Sequence, residues 1–388
     1  MRVIKVENKA LEQVFLEVPF NIQSENPAWI PHLESDIRQI FDPKKNKLLK
    51  DGEAIRWVLA DEKGNFVGRI AAFINQKTRN WNGIQVGGLG FFECINSQEA
   101  ANALFQVATD WLKERGMQAV DGPINLGERD AFWGVLVDGF TEPMYRANFN
   151  PPYYATLFKN YGFQLFFRQF TYYRDIDVPL SDLIHHRAEN ILNNKLIRFE
   201  KVDKKRLAEF GEHFRNIYNA AWVKHQNVGE MTSARAQAIM KAIRPIMDER
   251  LLWFAFHEDR PIAFSLMLPD INTLLRKNKG KFGIIQKLKL LFDLKLGRAE
   301  RIFGVIFGVI PEFQGQGMES ALAVTLEKEK MKNPKLPYRT LEMNWIGDFN
   351  PKMMKVAEMV GGKIFKEHQT FRLIFDESIE FQQEKKIL

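Results

Sequence analysis

The sequence predicts an α/β (α+β) fold of two tandem domains, each a mixed, mostly antiparallel sheet flanked by helices. Three observations carry that expectation. The order of elements in the first half recurs in the second. Each half runs from a hairpin through a long apolar strand into an amphipathic helix. At 388 residues, the chain also exceeds one average domain. The expected division is a first domain over 1–175, a connection over 176–195 and a second domain over 196–388, interrupted by a basic insert over 272–301.

The first half opens with strand "VIKVE" and helical stretches around 10–18 and 27–41. "EAIRWVLADEKGNFVGRIAAFIN" reads as two strands joined by the turn Glu62-Lys63-Gly64-Asn65. Apolar "QVGGLGFFECI" is a strand, and "QEAANALFQVATDWLKERG" is an amphipathic helix closed by glycine. Strand "AVDGPIN", a long irregular stretch, helix "PPYYATLFKNYG" and strand "QLFFRQFTYYRDI" complete it.

The second half follows suit. Strand "IRFEKV" leads into helices "KKRLAEFGEHFRNIYNAAW" and "SARAQAIMKAIRPIMDER". The hairpin "LLWFAFHEDRPIAFSLML" turns at 257–260, and apolar strand "RIFGVIFGVI" precedes helix "MESALAVTLEKEKMK". Strand "RTLEMNWI", helix "NPKMMKVAEMVGG" and strand "KIFKEHQTFRLIF" finish the repeat. Residue identity between the halves is slight, so the repeat is one of architecture.

Composition narrows the function classes. With 45% hydrophobic and 27% charged residues the chain is ordinary globular material. No run reaches the roughly 18–20 apolar residues of a membrane span, and "MRVIKVENKALEQ" lacks the apolar core and cleavage site of a leader. The single cysteine, Cys94, excludes an internal disulfide and fits a reducing cytoplasm, the expected location. In "GFFECI" a buried structural thiol is the alternative to a nucleophile. The net charge is +7, and residues 276–301 hold nine Lys/Arg against Asp293 and Glu300, which accounts for all of it. Charge so concentrated argues against a nucleic-acid groove, and no nucleic-acid partner is expected. The histidines, including adjacent His185 and His186, lack metal-ligand spacing, so no metal is expected.

Two glycines fall within three positions of "VIPEFQGQGMES", where the apolar strand hands over to a helix. The first turn of a helix leaves about four backbone N–H groups unpartnered at the positive end of its dipole, and bare backbone lets an anion reach them. A plain tight turn is the alternative. The stretch lacks the third glycine of a dinucleotide fingerprint and the Gly-Lys-Ser/Thr of a nucleotide P-loop. It resembles the acyl-CoA motif "V-x-P-E-Y-R-G-K-G" of the GNAT acetyltransferase superfamily. The pattern [RQ]-x-x-G-x-[GA] falls on Gln314, Gly317 and Glu319, and the resemblance assigns Gln314, Gly315, Gln316, Gly317, Met318 and Ser320 to the cofactor turn. Glu319 departs from it, since a carboxylate beside a pyrophosphate must point away or weaken binding. "NPKMMKVAEMVGG" resembles the family's later "N-x-x-A-x-x-L-Y-x-x-x-G-F", with Asn350 and Gly361 in place. Ala357 stands where a tyrosine often serves as general acid. The first half keeps this closing pattern in "NPPYYATLFKNYGF", but its turn "NSQEAANAL" has no glycine, which implies a degenerate first domain.

The resemblance implies an acyl-CoA-dependent N-acyltransferase, using acetyl-CoA or another acyl-CoA as substrate and a small-molecule or peptide amine as acceptor. Transfer would be direct, without a covalent enzyme intermediate. The thioester carbonyl would rest on the backbone of Val309 and Ile310. Glu342, on the neighbouring strand, is the nearest carboxylate to act as base; a salt-bridged role is its alternative. Asn344 and Trp345 alternate on that strand and could line the acceptor pocket or the core. His225 lies where a helix ends near the acceptor cleft. Arg129 and Asp130 sit in a long first-half loop of the kind that carries ligand contacts. An aminoacyl or peptidoglycan-type transferase using aminoacyl-tRNA, and an inactive CoA- or ligand-binding module, stay open as rivals. A homodimer is also left open.

In the insert, Ile284, Ile285, Leu288, Leu291 and Phe292 follow helical spacing, with Leu290 and Leu294 off that stripe. Three readings follow: a helix packed over the sheet edge with a solvated basic face, a lid over a long acyl or acceptor group, or peripheral contact with an anionic membrane.

Overall fold

The computed structural model describes residues 1–76, 80–222 and 229–387. The first half comprises β1 (Arg2–Lys5), α1 (Lys9–Gln23), α2 (Glu34–Ile40), β2 (Gly52–Ala60), β3 (Phe66–Asn75), β4 (Asn80–Trp81), β5 (Ile84–Cys94), α3 (Gln98–Lys113), β6 (Ala119–Gly122), β7 (Val135–Asp138), α4 (Tyr154–Tyr161) and β8 (Gln164–Asp175). There follow α5 (Asp182–Asn193), β9 (Ile197–Lys201), α6 (Leu207–Trp222), α7 (Ser233–Ile243), β10 (Leu252–His257), β11 (Arg260–Pro269), α8 (Asn272–Leu275), α9 (Ile284–Lys295), β12 (Arg301–Val309), α10 (Met318–Lys332), β13 (Thr340–Gly347), α11 (Pro351–Met359) and β14 (Lys363–Ile374). Local chemistry sets the ends. Side chains of Asn8, Ser97 and Thr232 cap α1, α3 and α7 by accepting from the backbone N–H three residues on. Helix α7 stops at Ile243, short of the expected helix, because Pro245 has no N–H to continue the hydrogen-bond ladder. Prolines 27 and 31 likewise confine the expected 27–41 helix to α2.

All strands belong to one 14-stranded system with the path β1-β2-β3-β5-β6-β14-β8-β13-β12-β11-β10-β9. Only β5–β6 and β12–β13 pair in parallel; the rest are antiparallel. The mixed, mostly antiparallel architecture is the expected one, but the closing strands are exchanged between halves. β8 leaves the first half to pair with β13 (Thr340 opposite Asp175), while β14 returns to pair with β6 (Leu373 opposite Val120). The two exchanged strands also pair with each other over most of their length. Separate cores lie on each side of this seam: Leu104, Phe105, Phe158 and Phe371 in the first, Phe210, Phe254, Phe264 and Val324 in the second. Residues 176–195, expected as a connection, contain α5, whose Ile184, Ala188 and Ile191 pack into the second core.

The insert corrects an expectation. Leu290, 5% exposed, and Leu294, the two leucines off the expected stripe, are the ones that pack, against Leu33, Leu275 and Tyr145. The stripe itself faces outward.

Candidate functional site

Strands β12 and β13 are hydrogen-bonded only where Arg301–Gly304 lie opposite Thr340–Met343. Beyond that β12 stays paired with β11 as far as Val309, whereas its β13-facing edge has no strand partner among the described residues. Parallel strands that part in this way leave a V-shaped cleft bordered by unpaired backbone groups, which an extended ligand with amide groups can satisfy as an added strand would. A cavity of about 350 Å³ occupies the cleft. Gly304, Val305, Ile306 and Phe307 of β12, Leu341 and Met343 to Ile346 of β13, Leu322, Ala323 and Leu326 of α10, and Met353, Val356 and Ala357 of α11 form its walls. Trp222, Leu336 and Tyr338 extend them. Such a space suits a long apolar chain. The convergence of four elements on this space was not legible in the sequence.

The cleft leads to the glycine turn. Gly315 (φ +72°) has nothing within 4 Å of where a Cβ would stand and is exposed. Gly317 (φ +91°) is the N-cap of α10, and a Cβ there would lie 2.1 Å from the Arg187 carbonyl oxygen. One glycine is thus required by the packing of α5 on α10, and the other leaves open backbone toward solvent. The glutamines brace the turn: Gln314 Nε2 donates to the Val309 carbonyl (2.9 Å) and Gln316 Nε2 to that of Glu312 (2.6 Å). Met318 and Ser320 are fully buried, so of the expected cofactor residues these two serve the core. Asn350 caps α11 through Met353 N–H (3.2 Å) and is not on the cavity wall.

Glu319 does not point away. It lines the apolar cavity, and burial raises its pKa, opposed only by its own backbone N–H in the first turn of α10. The other charged groups on that wall are engaged: Arg174 donates to the Val178 carbonyl, Glu327 meets His185 at 3.0 Å, and Lys330 pairs with Asp177. Burial shifts this carboxyl toward its neutral form, which softens the conflict with a phosphate at this helix end.

Two expectations are corrected. Val309 and Ile310 are buried and committed: Ile310 N–H donates to the Ile262 carbonyl (2.9 Å), and the Val309 carbonyl accepts from Gln314. The cleft instead borders Val305, Ile306 and Phe307. Glu342 is 1% exposed, and Lys366 Nζ donates to both its oxygens (2.7 and 2.8 Å), with Arg301 3.4 Å away. A carboxylate buried between two cations is held as an ion pair, which makes it a poor proton acceptor.

Asn344 and Trp345 stand between two spaces, lining both the large cavity and a small one of about 30 Å³ toward the first half. Trp345 Nε1 donates to the Arg129 carbonyl (2.9 Å), and Asp130 lines the small cavity with His368, Lys366 and Thr171. The Arg129 guanidinium lies over the Trp133 ring. Thus Asn344, Trp345, Arg129 and Asp130 come together, and His225 lies outside the described residues.

The first-half counterpart of the cleft is closed. β5 and β6 part after Gly88–Asp121, but Ile124 N–H then donates to the Leu89 carbonyl (2.8 Å). A Cβ on Gly90 would lie 1.7 Å from the Ile124 carbonyl oxygen, so the 123–125 backbone fills the gap. Below it, Glu93 on β5 is buried with its pKa raised by desolvation, and accepts from Tyr154 Oη (2.8 Å) and Gln23 Nε2 (3.0 Å).

No protein-family model matches the sequence. The chain is 27% identical over 374 residues to a "Bacterial ceramide synthase" of Caulobacter vibrioides, covering 96% of this chain and 97% of that one. It is 24% identical to "Protein YghO" of Escherichia coli, covering 94% and 93%. Among solved structures, a tandem GNAT protein from the clavulanic acid biosynthesis pathway superposes with a TM-score of 0.53 at 11% identity, over 97% of this chain and 99% of that one. The GCN5-related glucosamine N-acetyltransferase region of a fungal multi-domain GH3 β-N-acetylglucosaminidase gives 0.55 at 14% identity, over 96% of this chain and 38% of that one. The fold is therefore the tandem GNAT fold.

Proposed function

We propose that this protein is an acyl-CoA-dependent N-acyltransferase whose donor lies in the cleft between β12 and β13, with the acyl chain in the apolar cavity. The observation that carries the reading is that cavity: about 350 Å³, walled mostly by aliphatic and aromatic side chains, at the point where two parallel strands part. The pantetheine amides would pair with the open edge of β12, and the phosphates would reach the exposed backbone at Gly315. The size and apolarity of the cavity favour a long acyl chain over acetyl. The Caulobacter relative's name supports the same direction, since a ceramide is an amide of a fatty acid with a long-chain amine. A long-chain amine is accordingly the acceptor class proposed here.

In the reaction the amine nitrogen attacks the thioester carbon, the C–N bond forms, the C–S bond breaks, and CoA leaves as the thiol after taking up the proton the amine gives up. We assign Glu319, rather than Glu342, as the base that takes this proton from the amine and passes it to the departing thiolate. It is the cavity carboxylate with no side-chain partner among the described residues. Asn344 and Trp345 would orient the acceptor. Residues 1–175 would act as the support that supplies Arg129 and Asp130, and 196–388 as the donor-binding unit.

Calorimetry with acetyl-, octanoyl- and palmitoyl-CoA and with free CoA tests the reading, followed by mass spectrometry of a long-chain amine incubated with the best donor. Affinity should rise with chain length, and an amide should form. Failure of every acyl-CoA to bind at micromolar concentration would overturn it.

A further inference from the structure

Helix α9 carries two apolar faces. The narrow one, Leu290 and Leu294, is packed. The wide one is not: Ile284 is 77% exposed, Ile285 78%, Leu288 63%, Leu291 43%, Phe292 58% and Leu296 51%. At 3.6 residues per turn these six side chains form one continuous stripe. Six large hydrophobes gathered on one exposed helix face are far from the scattered single apolar residues of an ordinary surface.

The charges around the stripe are as one-sided as its position. Lys287 and Lys289 fall on its two flanks, and Lys295 lies within it. None of these three, nor Lys277 and Lys279 just before the helix, has a carboxylate partner among the described residues. The one acid on α9, Asp293, is 5% exposed and bound to Arg298 at 2.5 Å. The helix is also held firmly in this attitude. Arg276 pairs with Glu142, Lys281 with Glu34 at 2.5 Å, and Glu34 N–H donates to the Gly280 carbonyl at 2.9 Å. These bonds tie the insert to the first half and leave the stripe outermost.

We propose that α9 lies in the surface of an anionic lipid bilayer, with the Ile284–Leu296 stripe in the acyl boundary and the lysines at the headgroup phosphates. A helix flanked by lysines on both edges of an apolar face suits that boundary, because the lysine stems run along apolar surface while the ammonium groups reach the headgroups. A second copy of the chain fits worse, since it would bring Lys287, Lys289 and Lys295 of each copy against their equivalents. Placement adds a consequence. A Cβ on Gly297, at the end of α9, would lie 3.1 Å from Pro337 Cβ, between Leu336 and Tyr338 of the cavity wall. The docked surface would thus adjoin the apolar cavity. Docking itself rests on α9 alone and stands whether or not the chain transfers acyl groups.

The test is flotation of the full chain with vesicles of phosphatidylcholine alone and vesicles containing phosphatidylglycerol, at low and high salt. Two variants accompany it, Ile285→Ser/Leu288→Ser/Phe292→Ser and Lys287→Glu/Lys289→Glu. All five positions are exposed, so thermal midpoints at or above that of the parent check that both variants fold. The expected result is binding to the phosphatidylglycerol vesicles, weakened by salt and reduced at least about tenfold by either variant. No binding to either vesicle, or equal binding to both with no effect of Lys→Glu, overturns the proposal. A dimer in sedimentation velocity that the serine variant dissociates also overturns it, in favour of self-association.

Discussion

Lys366 of β14 reaches across the intervening strand β8 to close on Glu342 of β13, at 2.7 and 2.8 Å, with both side chains at most 2% exposed. The pair pins the exchanged strand β14 to the second half's central strand, and Arg301, whose Nε and Nη2 both donate to Asp270 Oδ2 (2.9 and 2.6 Å), completes the network. Desolvation lowers the Lys366 pKa, partly offset by Glu342. Lys366→Met strands a buried carboxylate and should cost about 3–5 kcal/mol, read as a fall in thermal midpoint. Lys366→Met with Glu342→Leu should recover much of that loss. If Glu342→Gln instead leaves stability intact and removes activity, Glu342 is the base after all.

Glu319→Gln tests the assigned base from the other side. Burial raises the Glu319 pKa, so activity should climb with pH through a value above the ordinary carboxylate range as the group ionises. The variant should lose roughly 10²-fold in kcat and flatten that limb, while palmitoyl-CoA binds as before or more tightly. A variant that keeps the acidic limb removes Glu319 from the chemistry.

Chain-length preference should follow the cavity. Ala323→Phe places a ring among Leu322, Leu326 and Val356 and should lower kcat/KM for palmitoyl-CoA by about tenfold or more, with octanoyl-CoA less affected. Equal losses for both chains would place the acyl group elsewhere.

The two glycines should separate. Gly317→Ala meets the Arg187 carbonyl at 2.1 Å with φ at +91° and should destabilise the fold by about 1–3 kcal/mol. Gly315→Ala has only its φ of +72° to bear and should cost about 1 kcal/mol. Gly315→Leu should cost little more in stability yet impair CoA binding. Equal CoA affinity in that variant would remove the turn from the donor site.

Acid should weaken the fold through His368. Burial, opposed by its 3.0 Å contact with the Asn148 carbonyl and reinforced by Lys366, lowers its pKa from 6.5 to about 4. Between those values the unfolded chain takes up a proton that the folded one refuses, so stability falls as pH drops through that window, by roughly 3 kcal/mol in all. His368→Asn should reduce this slope in chemical denaturation between pH 7 and pH 4.

Much of the fold was legible because periodicity and caps are local. The hairpin turn at 62–65, the glycine ending α4 (φ +110° at Gly162) and the strand before the glycine turn announce themselves over a few residues. The short strands β4 and β7 were not, since two and four residues carry too little pattern. The motif asparagines show the limit well. Asn350 caps a helix, whereas Asn150, in the same pattern, binds both Leu136 backbone groups and fixes β7. Sequence supplied the residue type, and the neighbour across the fold decided its use.

What the sequence alone determined is the repeated order of strands and helices, the glycine turn with its out-of-place Glu319, and the charge gathered in one insert. Tertiary structure decided the rest. Which closing strand pairs with which half depends on contacts some two hundred residues apart, and hydrogen bonds between strands carry no label in the chain. Whether a carboxylate is free or neutralised depends on what the fold carries to within 3 Å of it, which separates Glu342 from Glu319. Which face of α9 is buried was set by the shape of its bed, formed by Leu33, Leu275 and Tyr145 from both halves, because a helix with two apolar faces can bury only the one its neighbours can reach.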